Sequence, residues 1–169
     1  LPSDPAVVPA LWQWEIATGS GAHVQLPAGD VTDVWTDDTH VVAAEASGTV
    51  RWLSRQGDEL AIDRATATGF NAKHSAFAPG AAFVAVGGVG GALIKVDGDH
   101  TTRLATFHAE VRAVAVADDA RHVAAGTDDG SLVVIDAETL QRTVLHGHTG
   151  RIRHVAFADR GRVLLSADS

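Results

Sequence analysis

Between Phe107 and His148 the apolar positions come in short β-branched runs and not at helical spacing. Val111, Val114 and Val116 make the first run, Val123 to Ala125 the second, Leu132 to Ile135 the third and Thr143 to Leu145 the fourth. Between them stand Asp118-Asp119, Asp128-Asp129-Gly130 and Asp136-Ala137-Glu138-Thr139, the residue types that make tight turns. The pattern predicts four short strands. A lone sheet of that size cannot bury both faces, so it needs neighbours built like itself.

Copies of the pattern occur on both sides. Val155, Phe157 and Asp159 repeat Val114, Val116 and Asp118 at an offset of 41 residues. Phe77 with Pro79-Gly80 precedes Val116 by 39, and Trp35 with Asp37-Asp38 precedes Phe77 by 42. Gly48, Gly91 and Gly130 mark a second register, each ahead of an apolar run, at spacings of 43 and 39. A period near 40 with four strands per unit predicts an all-β propeller of four-stranded antiparallel blades.

Gly147-His148, Val155-Ala156-Phe157-Ala158-Asp159, Thr127-Asp128-Asp129-Gly130-Ser131 and Trp14-Glu15-Ile16-Ala17-Thr18-Gly19 follow one another at this period. The ordered set, over residues 10 to 169, resembles the WD-repeat β-propellers. The resemblance implies a buttress of hydrogen-bonded His, Ser or Thr, Asp and Trp in each blade. By position it implies His108, Thr127 and Asp129 in the central blade and His148, Ser166 and Trp14 at the two ends. Ile135, Leu53 and Val96 stand where the family carries Trp, so the buttress is incomplete there.

Residues 1–9 read as an extended, Pro-rich lead-in, because each Pro disfavours helix in the residue before it. Residues 10–27 resemble the third and fourth strands of a blade, with Trp12 and Trp14 on one strand face and Leu11 and Gln13 on the other. Whole blades are expected at 28–66, 67–106 and 107–146, and 147–169 supplies the first and second strands of a blade. About four blades per chain follow, one of them shared between the termini. Such a ring lies at the low end of the roughly 4–8 blades known for propellers, so a second copy or a missing propeller segment is expected to complete it.

Composition narrows the chemistry. The chain has 169 residues, 46% of them hydrophobic, enough for a sizeable core. It has no Cys, which removes disulfides, thiolate metal sites and Cys nucleophiles together. No apolar run approaches the roughly 20 residues that span a bilayer, and the first ten residues do not form a signal peptide. A cytoplasmic location and no membrane partner are the expectations. The absence of Met suggests a processed product, an excised domain or a designed sequence. A net charge of −8 argues against a nucleic-acid partner, which is bound by neutralising phosphates with a basic surface.

Candidate chemistry is mostly architectural. Val86-Gly87-Gly88-Val89-Gly90-Gly91 has the glycines of a phosphate cradle, but no Lys-Ser or Lys-Thr follows and Ala92 to Val96 reads as strand, so it reads as a turn. His146, His148 and His108 offer imidazoles, yet zinc needs three or four converging ligands and two of these are the family's structural His, so no metal is expected. His23, His40, His100 and His122 fall in expected turns. The paired aspartates recur at turn positions, and no nucleophile motif is present, so neither catalysis nor a cofactor is expected.

Lys73, Arg112 and Arg153 stand four residues ahead of Phe77, Val116 and Phe157, with Val31 breaking the series. At one end of a propeller they would form an arc suited to an acidic or phosphorylated partner. The resemblance implies a non-catalytic scaffold that binds a protein or peptide on its loop face. Two alternatives stand beside it: a regulatory or sensor domain excised from a larger bacterial signalling kinase or defence NTPase, and a designed or split-propeller fragment that assembles with a second copy.

Overall fold

The computed structural model describes residues 10–26, 30–36, 40–56 and 59–169. The expected lead-in at 1–9, the Asp37-Asp38 turn and the boundary at 27–28 lie outside them. The described chain is all β apart from three single 3-10 turns. Its first sheet is a hairpin of β1 (Ala10–Trp14) and β2 (Gly21–Gln25). The second holds β3 (Val31–Thr36), β4 (His40–Glu45), β5 (Thr49–Gln56) and β6 (Glu59–Ala67). The third holds β7 (Ala72–Phe77), β8 (Val84–Gly88), β9 (Ala92–Asp97) and β10 (His100–Thr106). The fourth holds β11 (Val111–Val116), β12 (His122–Thr127), β13 (Leu132–Asp136) and β14 (Arg142–Leu145), and the fifth is the hairpin of β15 (Ile152–Ala158) and β16 (Val163–Asp168). All pairings are antiparallel between neighbours in sequence.

Burial explains the composition of the second strands. β4, β8 and β12 are covered on both faces, so they read as unbroken runs of Val, Ala and Gly without alternation. Four apolar seams join the sheets in order. Leu11 and Val24 pack on Val41, Ala43 and Leu53; Val42 and Val50 pack with Val84, Val86 and Ile94. Phe83, Ala85 and Leu93 pack with Val123, Val133 and Ile135; Ala113 and Leu132 pack with Ile152, Val155 and Leu164. Leu53, Val96 and Ile135, the aliphatic residues at the Trp positions, are fully buried, and each such side chain contributes roughly 2 kcal/mol by leaving water. At Gly126 an added Cβ would lie 2.4 Å from Ile152 Cγ2, so the glycine sets how closely the fifth sheet approaches the fourth.

Each first strand carries one β-bulge against its partner: between Val31 and Asp33, Ala72 and His74, Val111 and Ala113, and Ile152 and His154. The extra residues are Thr32, Lys73, Arg112 and Arg153. In the second sheet the position of the cations therefore belongs to Thr32 and not to Val31, because Thr36, not Trp35, occupies the place of Phe77. Three further sequence expectations change. His23 lies within β2, stacked on Trp12 with ring centroids 4.4 Å apart. His122 opens β12, with Nδ1 2.5 Å from Asp119 Oδ2, and His40 and His100 also open strands. The blade shared between the termini is not assembled within one chain: β1–β2 and β15–β16 are separate two-stranded sheets. They rest on different neighbours, the second and the fourth sheet, and no strand of one pairs with a strand of the other.

Candidate functional site

The first strands of successive sheets lie side by side, β7 against β11 and β11 against β15. Their bulges therefore bring equivalent residues together at one end of the molecule. A bulge breaks the in-and-out alternation and turns a side chain away from the sheet face. The result is a cleft of about 220 Å3 lined by His74, Arg112, Arg151, Ile152, Arg153 and His154. Lys73 is exposed and does not line it.

Two carboxylates organise the guanidinium groups. Arg112 donates from Nε to Asp128 Oδ1 (2.9 Å) and from Nη2 to Asp128 Oδ2 (3.2 Å), with Glu110 Oε1 3.5 Å from Nη1. Arg151 Nε lies 2.6 Å from the same Asp128 Oδ1. The hydrogen bond from Arg112 holds the Asp128 carboxyl below the usual carboxylate range, and the same bond raises Arg112. Arg112 is thus a committed cation that fixes the back of the cleft. Arg153 is exposed and makes no ion pair among the described residues. Burial lowers the pKa of His74, opposed by the nearby Asp33 carboxylate. Asp33 itself accepts from the Ser75 amide (3.1 Å) and hydroxyl (2.7 Å), tying β3 to β7.

Of the cations singled out in the sequence, Arg112 and Arg153 meet in the cleft. Arg151, His74 and His154 join them. The two histidines had a readable signal, since Lys73-His74 and Arg153-His154 repeat the same pair at the same bulge. Arg151 had none, because its place ahead of the bulge is Glu110 in the fourth sheet and Asn71 in the third.

The buttress residues divide into two groups. In the fourth sheet the buried Thr127 hydroxyl donates to Asp129 Oδ1 (2.5 Å), and the Ser131 amide lies 3.0 Å from Thr127 Oγ1. His108 is exposed and does not bond to either. In the fifth sheet His148 Nε2 lies 2.7 Å from Ser166 Oγ and His148 Nδ1 lies 2.8 Å from Asp168 Oδ2, a residue the sequence did not single out. That bond to His148 lowers Asp168. Ser166, His148 and Asp168 form the same chain of bonds as a hydrolase triad. Ser166 sits in mid-strand, on β16, with neither a strained elbow nor a helix N-terminus beside it to make an oxyanion hole. The geometry suits a strut linking the loop before β15 to β16. Trp14 is 58% exposed, stacks on Trp12 with centroids 5.3 Å apart and takes no part in that strut.

Among the described residues no group of three or more His, Asp or Glu side chains converges as a metal ion requires, and no helix is long and apolar enough to cross a membrane. Residues 101–136 and 139–169 match the family model described as WD domain, G-beta repeat. No curated protein matches the chain. Among solved structures, a chain of the crystal structure of the mitotic checkpoint complex aligns over 97% of this chain and 54% of its own length, with a TM-score of 0.76 and 18% identity. The present chain thus spans about half the length of that neighbour, and at such identity the likeness is one of fold. Two WD40 repeats are thus recognised, at 101–136 and 139–169, and the four-stranded antiparallel sheets superpose on that neighbour along nearly the whole chain, the architecture of propeller blades.

Proposed function

We propose that the protein is a non-catalytic interaction platform that holds an acidic segment of a protein or peptide in the cleft between β7, β11 and β15. The observation that carries this reading is the convergence of Arg112, Arg151 and Arg153 with His74 and His154 on a chain whose net charge is −8. Asp128 occupies Arg151 through Nε and anchors Arg112 on both oxygens. The terminal N–H groups of Arg151, held in place through its Nε, and the whole Arg153 guanidinium remain as donors for a partner carboxylate. Lys73 stands outside the cleft and contributes only long-range attraction.

Fluorescence anisotropy with a peptide of alternating Glu and Gly, and its Gln-for-Glu counterpart, tests this. Arg151→Ala with Arg153→Ala is expected to weaken the Glu peptide about tenfold or more, the equivalent of ~1.4 kcal/mol, with the melting temperature unchanged. Lys73→Ala is expected to change it less than about twofold. Equal binding of the two peptides, or none by either, rejects the site. Completion of the ring, by a second copy or by another propeller segment, belongs to the same reading.

A further inference from the structure

The second sheet departs from the third and fourth at one rung of the ladder between its inner strands. Val42 pairs with Trp52 there, where Ala85 pairs with Lys95 and Ala124 with Val134. The outer strand sets Arg64 beside Trp52, where the other two sheets have Thr102 and Thr143. A bulge between Trp52 and Leu53 makes Asp63 an extra residue of β6 and takes it out of the in-and-out alternation. The bulge of β10 lies elsewhere, and its extra residue, Leu104, is fully buried. What all three sheets share is architecture. Trp52, Asp63 and Arg64 are not shared, so the repeat does not require them.

These three side chains line a cleft of about 400 Å3 together with Gly80, Asp97 and Gly98 of the third sheet. It is larger than the arginine cleft and falls within the roughly 300–1,000 Å3 of small-ligand sites. It lies past the other end of β7 from His74, because Gly80 follows that strand. Both sheets that build it have all four strands. One wall is fixed from within: Thr66 Oγ1 donates to Gly98 O (2.7 Å). Gly98 has a φ of 57°, and a Cβ there would lie 2.4 Å from Arg64 Nη1, so the glycine lets Arg64 lie across the β9–β10 turn. Arg64 Cζ is 5.8 Å from the Trp52 ring centroid, and Arg64 Nε is 3.3 Å from Asp99 Oδ1. At Gly80 a Cβ would meet nothing within 4 Å, so the cleft is open on that side.

Carboxylates outnumber cations around it. Asp63, Asp97 and Asp99 stand against Arg64 and Lys95. Arg64 is matched to Asp99. Lys95 comes no nearer to Asp97 than 3.9 Å and lies over the Phe83 ring, 4.9 Å from its centroid. Asp63 accepts from Ser54 Oγ (2.9 Å) and has no cation beside it among the described residues. Asp136, the counterpart of Asp97, accepts from the Glu138 and Thr139 amides and pairs with Arg121. Asp97 makes no such bonds among the described residues and is exposed. One further cation would bring the cleft to neutrality. An indole beside two carboxylates suits a planar guanidinium, which stacks on a ring and donates in several directions at once. Arg64, set against Trp52 and Asp99, is the chain's own instance of that chemistry.

We propose that this cleft is a second recognition site, which receives an arginine side chain of a protein partner. The guanidinium lies beside Trp52 and donates to Asp63 and Asp97. The site goes beyond the acidic-segment cleft at the other end of β7 and does not depend on it.

Fluorescence anisotropy with a labelled peptide of alternating Arg and Gly tests this, in about 0.15 M salt, where charges more than ~8 Å apart are largely screened. Asp63→Asn with Asp97→Asn is expected to weaken binding about tenfold or more. Ala82→Arg puts a side chain and a positive charge into the cleft from an exposed position and is expected to weaken it at least as much. Asp118→Asn with Glu138→Gln removes the same charge from exposed positions of the fourth sheet and is expected to change binding less than about twofold. All these positions are exposed, so the melting temperature is expected to stay the same in each variant. A peptide of alternating Lys and Gly is expected to bind more weakly than the Arg peptide. Equal losses in the two double variants, undiminished binding by Ala82→Arg, a Lys peptide that binds as tightly as the Arg peptide, or no binding by the wild type overturns the proposal.

Discussion

The turns between second and third strands in the third and fourth sheets occupy the same place and are held by different means. In the fourth sheet side chains hold it: Thr127 bonds to Asp129, and both accept from the Ser131 amide. In the third sheet Val86 to Gly91 offers no polar side chain, and the backbone itself makes the fit. Gly91 has φ 72°, and a Cβ there would lie 2.2 Å from Phe107 O. Gly130, its counterpart, has φ 84°, but its Cβ would stop 3.0 Å from Gly150 O. Where side chains fill the turn the neighbouring loop stands back, and where they are missing the loop closes onto bare backbone. A glycine-rich stretch that looks like an anion cradle is thus the tight seam between two sheets.

The sharpest break of this comparison is at the glycines. Gly91→Ala is expected to cost about 3 kcal/mol, the left-handed strain plus displacement of a carbonyl. Gly130→Ala is expected to cost about 1 kcal/mol, mostly the strain. Urea unfolding of both variants measures the difference, and equal costs would mean that the two turns are held alike. Next in size is Thr127→Val, expected at about 1–2 kcal/mol because a buried hydroxyl is lost together with its bonds to Asp129 and the Ser131 amide.

Acid sharpens the same contrast. The Thr127 hydrogen bond, aided by the Ser131 amide, lowers Asp129, and the Arg121 hydrogen bond lowers Asp136 well below its usual range. A carboxylate with a depressed folded pKa adds stability above its unfolded value near 3.8, and that stability is lost as pH falls through the folded pKa. Amide exchange relative to the intrinsic rate at each pH is therefore expected to quicken in β12 and β13 between about pH 4 and pH 2, with a smaller change for Thr127→Val because Asp129 has already lost the Thr127 donor. No acceleration there in the wild type would contradict the assignment. The smallest effect is expected of Arg121→Ala. Its contact with Asp136 is short, 2.6 Å, but the arginine is 46% exposed, and removing it should leave the melting temperature almost unchanged.

Much of the fold was legible in the chain because propeller sheets repeat their turns. The Asp-rich corners at 118–119, 128–130 and 136–139 and the glycines at 48, 91 and 130 are local features. The register of the second sheet was misplaced by one residue because an aromatic, Trp35, stands next to the position that Thr36 fills. Bulges are set by pairing with another strand, and no single-strand pattern displays them. The cleft was half legible for the same reason. Arg112 and Arg153 repeat in sequence, but their different fates depend on Asp128, which reads locally as a turn residue and in space is the anchor for two arginines. His23 looked like a turn residue because only the stacked Trp12 reveals its strand.

The account stands most directly on where a partner meets the protein. In an isotope-labelled sample titrated with the Glu-Gly peptide, the amides of His74, Arg112, Arg151, Arg153 and His154 are expected to shift together and saturably. Burial lowers His74, so near neutral pH the positive charge in the cleft is that of the arginines. Shifts confined to the stacked Trp12 and Trp14, or to the cleft of Trp52 and Arg64, with the bulges of β7, β11 and β15 unmoved, would contradict it.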